Sequence, residues 1–105
     1  MEVGALSGGN RQRLEVARAL AANPQLIVAH DPTRGLDLAA TAEVHRTLTS
    51  FAAHGGAILL ISTDLDELLR LSDRIAVISR GRLREASAQE RTPERLVLMM
   101  AGALP

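Results

Sequence analysis

The sequence contains no lysine, no cysteine, no tryptophan and no tyrosine, and its single aromatic residue is Phe51. Each absence removes a chemistry. Without lysine there is no loop lysine to reach the β and γ oxygens of a nucleotide, no Schiff base and no amine general base. Without cysteine there is no disulfide framework, thiolate nucleophile or Cys-based zinc site. One phenylalanine cannot build a base-stacking platform. The formal net charge of zero, from 12 arginines against 12 acidic residues, supplies no field for steering a phosphate backbone. Nucleic acid is therefore not an expected partner. The longest apolar runs, Ala57 to Ile61 and Leu96 to Ala101, are far shorter than the ~20 residues of a membrane-spanning helix, and the first residues do not resemble a signal peptide.

What remains is an ordinary globular composition, 105 residues with 47% apolar and 23% charged side chains, which allows one domain. Ser7 stands as an N-cap before good helix formers from Gly9 to Ala22, and Asn23-Pro24 stops that helix. The continuous apolar run Leu26-Ile27-Val28-Ala29 predicts a strand buried on both faces of a parallel sheet, ending at His30-Asp31-Pro32. Leu38 to about His54 predicts a helix with Leu38, Ala42, His45, Leu48 and Ala52 inward and Gly55-Gly56 as its stop. Ala57 to Ser62 is a second buried-strand run, and Thr63 or Asp64 opens a helix through Leu71 with Leu65, Leu68 and Leu69 inward. Arg74 to Ser79 is a third strand, Arg80-Gly81 a turn, and Arg82 to Ala86 a fourth strand returning antiparallel. Thr92-Pro93-Glu94 opens a last helix ending near Gly102. This α-β-α-β-α-β-β-α order predicts an α/β fold, parallel strands flanked by helices with a C-terminal β-hairpin, and binding groups on loops beyond the C-terminal strand ends.

Three places carry chemistry. In Leu6-Ser7-Gly8-Gly9-Asn10 a hydroxyl, two residues without side chains and the amides of a helix start form an anion site that a phosphate can approach closely; the plainer alternative is a capped helix after a glycine turn. His30-Asp31 ends a buried strand before Pro32-Thr33-Arg34-Gly35-Leu36-Asp37. Thr63 follows the next strand, where its plainer role is a helix N-cap. His45 and His54 have no accompanying carboxylate pattern and read as surface or interface residues rather than metal ligands.

In order and position these segments resemble the second half of an ATP-binding cassette, the nucleotide-hydrolysing domain of ABC transporters, a P-loop NTPase fold. The resemblance covers nearly the whole chain, residues 1–105. It implies that Ser7, Gly8, Gly9 and Asn10 are the signature motif, which in the family contacts the ATP held by a partner cassette. It implies that the strand ending at His30 is the Walker B strand and that Asp37 belongs to the D-loop. His30 then stands where the family places the Mg²⁺ aspartate, Asp31 where it places the general-base glutamate, and Thr63 where it places the switch histidine. A neutral imidazole is a poor partner for a hard, oxygen-seeking cation, and aspartate is one methylene shorter than glutamate. Sliding the register to make Asp31 the Mg²⁺ residue would put proline at the base position. Arg34 within Pro-Thr-Arg-Gly-Leu-Asp, the missing switch histidine and Asp64-Leu65-Asp66-Glu67-Leu68 look like the second, often degenerate cassette of the double-cassette ATPases of bacterial sugar and nucleoside importers.

The family's Walker A loop has no counterpart. Gly4 and Gly9 keep the glycine spacing, but Asn10 and Arg11 replace Lys and Ser/Thr, and the three residues Met1-Glu2-Val3 ahead of Gly4 do not supply the buried strand that would confirm the motif. The expectation is the C-terminal portion of one cassette, lacking the N-terminal Walker A half, inactive alone, and using ATP and Mg only in a complete cassette pair. The implied partners are a second ABC cassette and transmembrane permease subunits, with a cytoplasmic location, peripheral on the inner face of the cell membrane. Two other readings compete: a non-catalytic interaction module or non-functional truncated cassette, and the DNA-repair or chromosome-structuring ATPases, which share an LSGG-type signature. Ser72 to Arg80 reads more like a transporter cassette than the latter.

Overall fold

The computed structural model describes residues 15, 16 and 18–103. Two compact units divide it, one ending at Ile61 and the other beginning at Ser62.

In the first unit, residues 15, 16 and 18–21 are helical, and Asn23, at φ 51°, closes the helix with its N–H on the Leu20 carbonyl, 2.9 Å. The Asn23-Pro24 stop falls where the sequence predicts it; the Ser7 cap lies outside the described residues. Strand β1, Leu26–His30, pairs in parallel with β2, Ala57–Ile61, in one unbroken register from Leu26↔Ala57 to His30↔Ile61. Between them runs helix α1, Leu38–Ala53. It ends at a turn where Gly55 takes φ 93°, and the Phe51 ring fills the space a Cβ on Gly56 would need.

Two expectations need correction here. Among the described residues β1 and β2 are not buried on both faces. Ile27 and Ala29 are buried, whereas Leu26 and Val28 keep 56% and 59% of their surface, and Leu59 and Ile61, their same-face companions on β2, are exposed as well. An apolar run reports that a strand can be covered twice, and α1 supplies only one cover. The inward stripe of α1 is Ala40, Val44 and Leu48, sharing only Leu48 with the predicted set. Leu38 is the first residue after the Asp37 cap and projects from the opening turn, 90% exposed. A stripe anchored on it is therefore rotated, and small Ala40 and β-branched Val44 face inward instead.

The second unit is built on helix α2, Leu65–Leu71, strands β3, Ala76–Ser79, and β4, Arg82–Glu85, a 3₁₀ turn at Ala88–Glu90, and helix α3, Pro93–Met100. β3 and β4 form their own antiparallel sheet rather than extending the parallel one. Arg80 and Gly81 both take positive φ, 52° and 76°, as the right-handed twist of a two-residue hairpin demands. β3 is shorter than predicted because Arg74 and Ile75 precede the ladder, although the Ile75 carbonyl still accepts from Ala86 N–H at 2.8 Å. The core joins Ile75, Val77, Ala86, Leu96 and Met99, with Leu65, Leu68 and Leu69 packed against it as predicted. Thr92 caps α3 by accepting from Arg95 N–H, with proline at the first turn, and Gly102 at φ 74° follows its end. The 3₁₀ turn, held by a reciprocal Ser87–Glu90 capping box, was not anticipated from the sequence.

Two carboxylates of this unit are stabilised in their charged form. Glu85 is held below the ordinary glutamate range by a two-point hydrogen bond from Arg74, 2.8 and 2.9 Å, and Glu90 by the Ser87 N–H, with Arg84 adding to it. Groups whose folded pKa is lowered contribute stability above their unfolded pKa and lose it as pH falls through the folded value. Urea midpoints should therefore drop from about pH 7 to about pH 3, and Glu85→Gln should flatten that drop while lowering the neutral-pH midpoint. Leu96, 1% exposed, anchors the core, and Leu96→Ala should cost about 2–5 kcal/mol in the same titration.

Candidate functional site

The C-terminal end of β1 delivers His30 and Asp31 to the surface, where a parallel α/β fold gathers its binding loops. Asp31 prolongs the ladder by one bond, its N–H donating to the Ile61 carbonyl at 2.8 Å. Its backbone then leaves the strand with φ 45°, a conformation uncommon outside glycine and tolerated best by Asp and Asn. Two successive turns follow. Arg34 N–H donates to the Asp31 carbonyl at 3.2 Å and Leu36 N–H to the Thr33 carbonyl at 3.1 Å, with Gly35 at φ 77° between them. Pro32 is buried and gives this loop its footing.

Asp37 closes the loop. Its backbone is extended, and its Oδ1 accepts from Ala40 N–H at 2.8 Å, so it is the N-cap of α1. The loop from Asp31 to Asp37 is thus fixed at one end by the ladder and at the other by a helix cap.

The Asp31 carboxylate is only 18% exposed and has an imidazole and a guanidinium beside one oxygen: His30 Nε2 lies 3.5 Å and Arg34 Nη1 3.8 Å from Oδ2. The sequence marks Arg34 only as a family variation; its place beside Asp31 follows from the i, i+3 spacing around the turn. His30 is 73% exposed. It borders a small cleft of about 130 Å³ walled mainly by Val16, Ile27, Ala29, Pro32 and Leu48. Nucleotide-sized pockets run to roughly 300–1,000 Å³, so this cleft does not hold a nucleotide alone. A larger, shallow depression over Arg46, Thr47, Ser50, Phe51 and His54 contains none of the predicted site residues.

These residues do not fit a Mg²⁺ ion. A hard dication needs several oxygen ligands. Here the one carboxylate is faced by an imidazole and a guanidinium, and no group of three metal-ligating side chains occurs among the described residues. His54 is turned to its own helix, Nδ1 donating to the Ser50 carbonyl at 2.7 Å.

Thr63 belongs to the second unit. It is exposed, in the turn before α2, and the cap of that helix is Asp64, whose Oδ1 accepts from Glu67 N–H at 3.2 Å. The N-cap role that the sequence offered Thr63 is therefore corrected: Asp64 has the longer acceptor arm and takes it, while Ser62 Oγ accepts from Asp64 N–H at 3.0 Å. Buried Glu67, 3% exposed on α2, had no signal in the sequence beyond an acidic residue on a leucine-rich helix. Ser7, Gly8, Gly9 and Asn10 lie outside the described residues.

Sequence relatives and structural neighbours agree. The chain is 44% identical over 101 residues to the ribose import ATP-binding protein RbsA 2 of Rhizobium etli, a match that covers 95% of this chain and 20% of that protein. It is 47% identical over 100 residues to the guanosine import ATP-binding protein NupO of Bacillus subtilis, covering 94% and 20%. It is 40% identical over 101 residues to the xylose import ATP-binding protein XylG of Moorella thermoacetica, covering 95% and 20%. The chain thus spans about a fifth of the length of the curated relatives it matches. No family model matches it. Among solved structures, a nucleotide-free ATP-binding cassette from an ABC transporter superposes with a TM-score of 0.76 at 29% identity, covering 90% of this chain and 38% of that one. A metal-chelate type ABC transporter in an inward-facing conformation gives 0.79 at 22% identity, covering 96% and 41%, and supports the fold alone.

Because Asp37 caps α1, Asp37→Ala should lower stability by about 0.5–2 kcal/mol and Asp37→Asn by much less. Gly35→Ala has free space but the wrong backbone conformation and should cost about 1–2 kcal/mol. Both are measurable by urea unfolding.

Proposed function

In sequence and in fold the chain belongs with the ATP-binding cassettes of ABC transporters, of which it spans a part, and from that premise we propose that it serves the ATPase of an importer for sugars or nucleosides. The supporting observation is the identity of 40–47% maintained along about 100 residues with import ATP-binding proteins for ribose, guanosine and xylose. In this reading Ser7, Gly8, Gly9 and Asn10 complete the ATP site of a second cassette, and Asp37 contributes the D-loop beside it. Permease subunits hold the pair on the cytoplasmic face of the membrane. No helix among the described residues is long and apolar enough to cross one.

In a complete cassette pair, the nucleotide site to which the family's pattern assigns the positions of His30, Asp31 and Thr63 would bind nucleotide but turn it over slowly. Its support is local chemistry: an imidazole in place of a Mg²⁺-directing carboxylate, a shortened acid flanked by His30 and Arg34, and a threonine that can hydrogen-bond but carries no charge. The same features favour a second reading, a module that docks to a partner cassette without catalysis of its own. In either case the chain by itself has no ATPase.

The two halves of this proposal separate experimentally. The purified chain should release no phosphate from ATP above background; magnesium-dependent turnover abolished by Asp31→Asn would overturn that. In an importer carrying this sequence, Ser7→Arg should reduce transport-coupled hydrolysis about a hundredfold, as loss of a phosphate-facing donor does. Asp31→Asn should leave it within roughly twofold. The reverse ranking would show that the chain's own site, not the one it completes, performs the hydrolysis.

A further inference from the structure

Helix α2 has seven residues, about two turns, and helices this short are not stable through their own hydrogen bonds. Its apolar side is packed, through Leu65, Leu68 and Leu69, but its ends decide whether both turns persist. At the N-terminus Asp64 caps it. Just past its C-terminus the chain leaves the helix in extended conformation at Ser72, and there stands Arg91, distant in sequence. Its Nη2 donates to the carbonyl of Ser72, the C-cap residue, at 2.6 Å, and its Nη1 to that of Asp73 at 2.7 Å.

Arg91 is itself fixed from the other side. It follows the Ala88–Glu90 turn, whose Ser87–Glu90 capping box closes it, and Glu90 pairs with Arg84 on β4. A continuous set of hydrogen bonds therefore runs from the hairpin through Glu90 and the Arg91 fork to the end of α2. The helix is about 10 Å long, and at its start lies the Ser62–Asp64 turn that carries Thr63.

We propose that Arg91 is the positioning residue for the Thr63 turn, acting through α2. Its guanidinium fork holds the far end of a helix too short to hold itself, and so sets where Ser62, Thr63 and Asp64 stand. The functional meaning rests on the reading above, in which Thr63 occupies the switch position beside nucleotide; the mechanical part does not. A lysine would keep the charge but lose the planar fork that serves two carbonyls at once.

Amide hydrogen exchange on the chain itself tests the mechanical part. Arg91→Ala should speed exchange of the Glu67 and Leu68 amides in α2 and of the Ser72 amide at its C-cap by roughly tenfold or more, the worth of a hydrogen bond from a charged donor. The amides of Leu96 in α3 and of Ala101 at its C-cap should stay within about twofold of wild type. Arg91→Lys should fall between. Equal acceleration in α2 and α3 would mean that Arg91 supports the unit as a whole, and no acceleration in α2 would mean that it positions nothing; either overturns the proposal. In an importer carrying this sequence, ATP should slow exchange at Thr63 and Asp64, and less so with Arg91→Ala. If ATP does not protect this turn even in the wild type, the placement of Thr63 beside nucleotide falls, while the α2 result on the chain stands on its own.

Discussion

The parallel ladder between β1 and β2 is the constraint on which the site-bearing unit depends. Five residue pairs in one register bring the end of β1 beside the end of β2, and the bond from Asp31 N–H to the Ile61 carbonyl carries that alignment one residue further. A slip of one residue would exchange the two faces of the strand, turning Ile27 and Ala29 outward and Leu26 and Val28 onto α1. The buried Ile27, Ala29 and Leu48 hold the register against that exchange. Everything at the site follows from it: where the chain turns at Asp31, where Pro32 seats, and how far the loop must reach before Asp37 can cap α1.

The absence of lysine acquires a structural side in the second unit. Its polar links depend on arginine as a planar donor with several N–H groups: Arg74 bidentate on Glu85, Arg84 on Glu90, and Arg91 spanning the carbonyls of Ser72 and Asp73. A point-charge ammonium satisfies such pairs less well. The exposed pairs contribute little as Coulomb attraction. Their contribution is directional, fixing short elements whose own hydrogen bonds are too few. α2 is the clearest case, because its packing is one-sided and its length is two turns.

Element type and order were legible in the sequence wherever a local rule had a strong mechanism. Pro24, the Gly55 turn, the Arg80-Gly81 hairpin and the Thr92-Pro93 helix start all stand where capping and turn chemistry put them. What the sequence did not disclose is set by tertiary geometry. Leu38 has the composition of a core residue but sits at the first position of α1, so the inward stripe turns away from it. The apolar β1 run signals two buried faces, yet burial is a property of neighbours, and Leu26 and Val28 stay exposed. The choice between Thr63 and Asp64 as cap was open because both residue types cap helices, and the structure resolves it by the reach of the carboxylate to Glu67 N–H. Arg91 carried no signal at all, since its partners are backbone carbonyls 18 and 19 residues away.

The site loop contains one locally strained residue, Asp31 at φ 45°. Holding aspartate at positive φ costs of order 1 kcal/mol, and glycine at the same place would relieve it. The Arg34 pair beside Asp31 returns little of that cost, because Arg34 is 84% exposed and exposed pairs contribute little in water. The ladder bond to Ile61 is made by backbone and would survive substitution. Such strain is characteristic of positions where a side chain must meet something other than its own fold. The two carboxylates of the loop thus stand in different settings: Asp31 at the strained turn that leaves β1, and Asp37 at the cap of α1.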